Sequence, residues 1–144
     1  MVIGCDLLDI EPVPGAILFP NSDFTSRMTH SKIIEASKDV QSRFDVVLSD
    51  MAPNASGQRH LDQDRIITLS YSVLRFALLH SNFRANFVTK VWNGPRVNNL
   101  LKDMEKFYDI VERVKPKSSR KESGEIYLVG RGFKGIKKNN HSDL

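Results

Sequence analysis

The sequence predicts an α/β protein built on a largely parallel, Rossmann-like sheet covered by helices on both faces. Short apolar runs of strand length alternate with longer segments of helical period, the pattern of strands joined through helices. Acids stand at or just after the first three of these runs, at Asp6, Asp23 and Asp50. In open α/β sheets such positions, at the carboxyl ends of strands, are where ligands bind.

The elements follow in order. Val2-Ile3-Gly4-Cys5 is short and apolar and reads as a strand. The turn Pro12-Val13-Pro14-Gly15 leads into a second, Ala16-Ile17-Leu18-Phe19. Residues 26–40 read as a helix with Ile33 and Ile34 inward, and Phe44-Asp45-Val46-Val47-Leu48 as the third strand. From Asp62 to His80 the apolar residues Ile66, Val73, Leu74, Ala77 and Leu78 recur at three- and four-residue intervals, which predicts a helix. Asn86 to Trp92 is a strand. Gly94-Pro95 then opens a helix, because proline suits a first turn, with Val97, Leu100, Leu101 and Met104 as its stripe. Tyr108–Val114 and Glu125–Val129 complete the strands. One domain, 1–138, is expected, with a flexible tail over 139–144.

With 144 residues, of which 40% are apolar and 26% charged, the chain has the material for a core. A single cysteine, Cys5, excludes an internal disulfide and fits a reducing compartment. The four histidines are scattered without metal-ligand spacing, so no metal is expected. No apolar stretch reaches the roughly 20 residues of a membrane span, and the first residues resemble no signal or transit peptide. The net charge of +4 is unevenly spread: nine of the 21 Lys and Arg lie between Arg113 and Lys138, opposed only by Glu122 and Glu125. Such a stretch suits a polyanion, although a charge run is more often a solvated surface.

Several residues carry candidate chemistry. A carboxylate at Asp6 can accept hydrogen bonds from a ribose diol, and Asp23 can meet an adenine amino group or serve equally as a helix cap. Lys90 stands inside an apolar strand, where an unpaired ammonium is costly. It either reaches the rim and pairs with a structural acid, or handles a proton beside Asp50. Glu125 opens the strand after the basic loop; alone, it reads as a surface residue.

An ordered set of phrases carries a resemblance over almost the whole chain. These are Cys5-Asp6-Leu7-Leu8, Ser49-Asp50-Met51-Ala52-Pro53-Asn54-Ala55-Ser56-Gly57, Asp62 to Arg65, Thr89-Lys90-Val91-Trp92, Lys115-Pro116 with Ser118 to Ser123, and Glu125-Ile126-Tyr127. Together they resemble the FtsJ-type ribosomal RNA 2′-O-methyltransferases, in particular the mitochondrial large-subunit branch. The resemblance implies S-adenosylmethionine as cofactor, held by Asp6, Asp23 and Asp50. It implies 2′-O-methylation of a ribose, that of a uridine, in large-subunit ribosomal RNA or a pre-ribosomal particle, and a mitochondrial location. Asp50, Lys90 and Glu125 match three members of the family's catalytic Lys-Asp-Lys-Glu tetrad, with Lys90 as base or polariser. Lys115, Lys117, Arg120 and Lys121 would hold RNA phosphates. The match starts at the second strand of the family sheet. The implied fold is therefore a methyltransferase sheet truncated at its N-terminal first strand, which in the family lies between the strands ending at Asp6 and Asp50. His80 to Ala85 replaces a Pro-Gly-Gly turn common in the family.

Two other readings compete. One is a catalytically inactive truncated form that binds ribosomal RNA or a ribosomal partner through its basic C-terminal half. The other is a phosphoacceptor receiver domain, against which stand Leu7 after Asp6 and Val91 after Lys90, where receivers have a second acid and a proline.

Overall fold

The computed structural model describes residues 1–40, 43–120 and 123–136. Two compact units follow one another along the chain, Met1–Arg43 and a second beginning at Phe44. Residues 139–144, the expected tail, lie outside the described residues.

In the first unit, β1 (Val2–Cys5) pairs in parallel with β2 (Ala16–Phe19), Val2 opposite Ala16 and Cys5 opposite Phe19. Gly15, at a φ of 81°, supplies the left-handed residue of the turn before β2. Helix α1 (Arg27–Ala36) starts at Ser26, whose side chain accepts from the Met28 amide. It ends earlier than the periodicity suggests. Buried Ser37 turns its hydroxyl back to the Ile34 carbonyl at 2.8 Å, and a 3₁₀ turn, Lys38–Val40, follows.

The second unit holds β3 (Phe44–Ser49), α2 (Arg59–His80), β4 (Ser81–Trp92), α3 (Val97–Glu105), β5 (Tyr108–Val114) and β6 (Glu125–Phe133). The strand order is β3-β4-β6-β5. Only β3 and β4 run parallel; β6 is antiparallel to both β4 and β5. The sheet is therefore mixed rather than largely parallel. Among its described residues the connection from Lys115 to Gly124 contains no helix, and a connection of that kind returns the chain beside itself in the opposite sense.

β4 begins five residues before the expected Asn86, directly after α2. Over this stretch it advances from Ser81 to Asn86 while β3 advances only from Phe44 to Val46. The extra residues form an irregularity in which Arg84 takes a φ of 70°.

Ala85, Phe87, Thr89 and Val91 alternate along β4 as its buried residues, joined on β6 by Leu128 and Gly130. α2 lies on this face, where Ser70 meets Thr89. α3 is tied to α2 by a 2.6 Å hydrogen bond from the Tyr71 hydroxyl to Asp103. Tyr108 stacks on Phe87 and tilts against Phe133, with ring centroids 6.0 and 5.6 Å apart. Gly130 makes that stack possible, since a Cβ there would lie 2.8 Å from the Tyr108 ring. Ile66, Phe87, Leu100, Met104 and Leu128 are fully enclosed, each contributing roughly 1.5–3 kcal/mol by burial.

Alternation puts Val46, Leu48, Ile110 and Val114 on the opposite face, together with Lys90. All four are exposed, Leu48 by 71%. Within the second unit α2 and α3 cover one face of this sheet, where the sequence suggests cover on both.

Candidate active site at the ends of β3, β4 and β6

Strand register assembles the site in the second unit. Ser49, the last residue of β3, pairs with Thr89, so the next residue, Asp50, comes level with Lys90 on the neighbouring strand, at a strand spacing of about 4.8 Å. On the other side of β4, Lys90 faces Tyr127 and Trp92 faces Glu125. Three sequence-predicted residues thus converge on adjacent strand ends.

Their side chains are not equally engaged. The Lys90 ammonium is 3.9 Å from the Glu125 carboxylate, and the two side chains are 15% and 42% exposed. A cation so largely withdrawn from water with one carboxylate at the edge of ion-pair range is incompletely compensated, and it favours any further acceptor that enters. Asp50 is exposed and forms no ion pair among the described residues. Its carboxylate stands open to an incoming group rather than being consumed by Lys90.

The first turns of α2 hold the loops on either side. Asp62, only 3% exposed, accepts hydrogen bonds from the Ser56 amide at 3.0 Å and the Ser56 hydroxyl at 2.7 Å. The Ser56 hydroxyl is the chief reason that the Asp62 carboxyl lies below its ordinary range. A carboxylate in a first turn also meets the positive end of the helix. Gln63 donates to the Asn93 carbonyl at 3.1 Å, and Asp64 pairs with Arg96 at 3.0 Å. One helix end thereby fixes both the loop after Asp50 and the loop after Lys90. Sequence reasoning gave Asp62 no role, although an acid opening an apolar period is the ordinary sign of a helix start.

Beyond Glu125 the surface is polar and basic. A cavity of about 640 Å³ is lined by Ser118, Ser119, Arg120, Ser123 and Glu125. A second, of about 430 Å³, is lined by Arg59, Gln63, Trp92 and Asn93 together with Ser123 and Glu125. Lys117 and Arg120 are exposed and form no ion pair among the described residues. The Lys115 ammonium donates to the Ser123 carbonyl. Lys121 lies outside the described residues.

The first unit carries the other two predicted acids. Asp6 follows β1 exposed, its Oδ1 accepting from the Leu8 amide at 2.9 Å. Asp23 follows β2, and its Oδ1 accepts from both the hydroxyl and the amide of Thr25, at 2.7 and 2.8 Å. Those bonds, the hydroxyl first, hold its carboxyl below the ordinary range. Asp23 thus closes a tight turn, and Ser26 is the cap of α1.

The sequence profile described as FtsJ-like methyltransferase matches residues 1–133. "rRNA methyltransferase 2, mitochondrial" of Drosophila melanogaster is 49% identical over 134 residues, covering 93% of this chain and 53% of the relative. "Ribosomal RNA large subunit methyltransferase E" of Rickettsia bellii is 41% identical, covering 89% of this chain and 55% of the relative. The chain spans about half the length of these relatives. A crystal structure of a ribosomal RNA methyltransferase from Plasmodium falciparum is similar with a TM-score of 0.79 at 25% identity, covering 94% of this chain and 73% of that one. With a matching profile along nearly its whole length, an α/β fold and acids at its strand ends, the chain belongs to the FtsJ-like methyltransferase family.

Proposed function

We propose that this chain contributes the catalytic face of a ribosomal RNA 2′-O-methyltransferase, acting on a ribose of large-subunit RNA. The observation that carries the reading is Lys90, largely buried beside Glu125 and level with Asp50. In this role Lys90 polarises the ribose 2′-hydroxyl as an ammonium or takes its proton as a neutral amine, and Glu125 holds the lysine in position. Asp50 orients the incoming group from the adjacent strand end. Lys115, Lys117, Arg120 and Lys121 meet phosphates, which position RNA without reading its sequence.

Following the sequence resemblance, we assign contacts with S-adenosylmethionine to Asp6, Asp23 and Asp50. The donor chemistry fits, because each is an exposed carboxylate following a strand and can accept from hydroxyl, amino or ammonium groups. When bound, the cofactor supplies an electrophilic methyl group. A mitochondrial location accords with the name of the Drosophila relative, a uridine target follows from the sequence resemblance alone, and both form part of the same proposal.

The test is transfer of labelled methyl from S-adenosylmethionine to a large-subunit ribosomal RNA transcript. Lys90→Ala is expected to lower the rate by about 10²–10⁴, with an unchanged circular dichroism spectrum. A folded Lys90→Ala protein that transfers methyl at the parent rate would remove Lys90 from the chemistry. A second reading, RNA binding without transfer, is favoured by the exposed Lys117 and Arg120. It predicts salt-dependent RNA binding with no methyl transferred.

A further inference from the structure

Ser123 and Glu125 line both cavities, which therefore meet as two halves of a trough at the carboxylate that pairs with Lys90. Its composition is ordered. Arg120 lies in one half and Arg59 in the other, both exposed, with the Glu125 carboxylate common to the two. Trp92 lies in the Arg59 half, half-buried, opposite Glu125 in the strand register and two residues from Lys90 on the same side of β4.

We infer that this trough is a binding site for single-stranded RNA, in which Trp92 stacks on the base of a nucleotide next to the one whose ribose reaches Lys90. The inference rests on the methyltransferase reading for the position of the target ribose. The rest comes from the surface. Glu125 repels phosphate from the middle of the trough, so the sugar and base belong there and the phosphates belong at the arginine ends. Unstacked bases of single-stranded RNA lie against aromatic side chains, and Trp92 lines a cavity of about 430 Å³. The hydrogen bond from Gln63 to the Asn93 carbonyl ties the residue after Trp92 to α2.

The residue supplies its own reporter, because Trp92 is the single tryptophan of the chain. The 144-residue protein is titrated with a fluorescein-labelled oligoadenylate of about six nucleotides, following anisotropy for binding and, with unlabelled oligomer, indole emission for stacking. Saturable quenching with the anisotropy midpoint is expected. Trp92→Leu should bind about five- to a hundredfold more weakly, the range found for losing one aromatic platform. Trp92→Phe should stay within about threefold of the parent. Arg59→Ala should weaken binding and flatten the salt dependence by about 0.7 in the log–log slope. Heparin, a polyanion without bases, should compete without quenching.

Binding seen by anisotropy with unquenched indole emission overturns the inference and leaves the methyltransferase reading intact. A folded Trp92→Leu protein of parent affinity does the same. Absence of any binding overturns it too. Quenching in a protein that transfers no methyl sustains the RNA site and removes only its catalytic setting.

Discussion

The hydroxyl pair beneath Lys90 gives a prediction whose size and sign both follow from the structure. Thr89 and Ser70 are 1% and 2% exposed. Thr89 donates to the Ser70 Oγ at 3.1 Å, and Ser70 donates to the Ile66 carbonyl at 2.9 Å, with the Lys90 carbonyl at 3.5 Å. The chain of donors runs one way. Ser70→Ala removes the acceptor of Thr89 and strands a buried hydroxyl, which costs about 1–3 kcal/mol. Alanine's better helix propensity returns less than about 0.7 kcal/mol of that, leaving a loss of roughly 1–2 kcal/mol. Thr89→Val removes the donor itself, while Ser70 keeps its Ile66 acceptor. The loss of one neutral hydrogen bond, about 0.5–1.5 kcal/mol, is then largely offset by an added buried methyl worth about 0.8 kcal/mol. Ser70→Ala should therefore be the more damaging change, and Thr89→Val placed on it should restore about 1 kcal/mol. Urea denaturation followed by Trp92 emission reads the second unit, where that tryptophan lies. Equal losses from the two single changes, or strict additivity in the double variant, would refute the directional account.

Three further outcomes are expected. Gly130→Ala forces a Cβ to within 2.8–3.1 Å of the Tyr108 ring, which cannot yield between Phe87 and Phe133; a loss of about 1–3 kcal/mol in the same denaturation assay is expected. The Tyr71 hydroxyl is pushed up from 10 to about 12 by burial and then by its bond to Asp103. Because the fold favours its protonated form, this contribution is complete below pH 10 and is lost as pH rises through about 12. The alkaline fall in stability should be smaller in Tyr71→Phe, and identical pH profiles would dismiss the contact. Asp62→Ala releases Ser56 from α2. Limited proteolysis should then cut between Asp50 and Gln58 faster than in the parent, and an unchanged cleavage rate would mean that the loop is held elsewhere.

Much of this arrangement was legible in the chain because particular residues are out of place. Lys90 interrupts an apolar strand, and its partner Glu125 opens another strand after a basic loop. Ile66, Val73, Leu74, Ala77 and Leu78 repeat with helical period and are the buried face of α2. Other features leave no such trace. A strand's residues do not encode which neighbour it takes or in which direction, so the antiparallel seat of β6 between β4 and β5 was hidden. α2 begins at Arg59, before the apolar period starts, because Arg59 and His60 are exposed. The early start of β4 was masked by Arg84, whose left-handed backbone breaks strand alternation. Pairwise contacts such as Asp62 with Ser56 and Gln63 with Asn93 depend on loop geometry, which periodicity does not describe.

β3 is an outer strand of its sheet, hydrogen-bonded to β4 along one side, and it runs straight into Asp50. Among the described residues its other margin pairs with no strand, and with Val46 and Leu48 exposed along it, a margin of that kind is a template for strand addition. A peptide that zips onto that margin terminates beside the Asp50 carboxylate. A substitution that blunts this margin against strand addition therefore also alters the approach to Asp50.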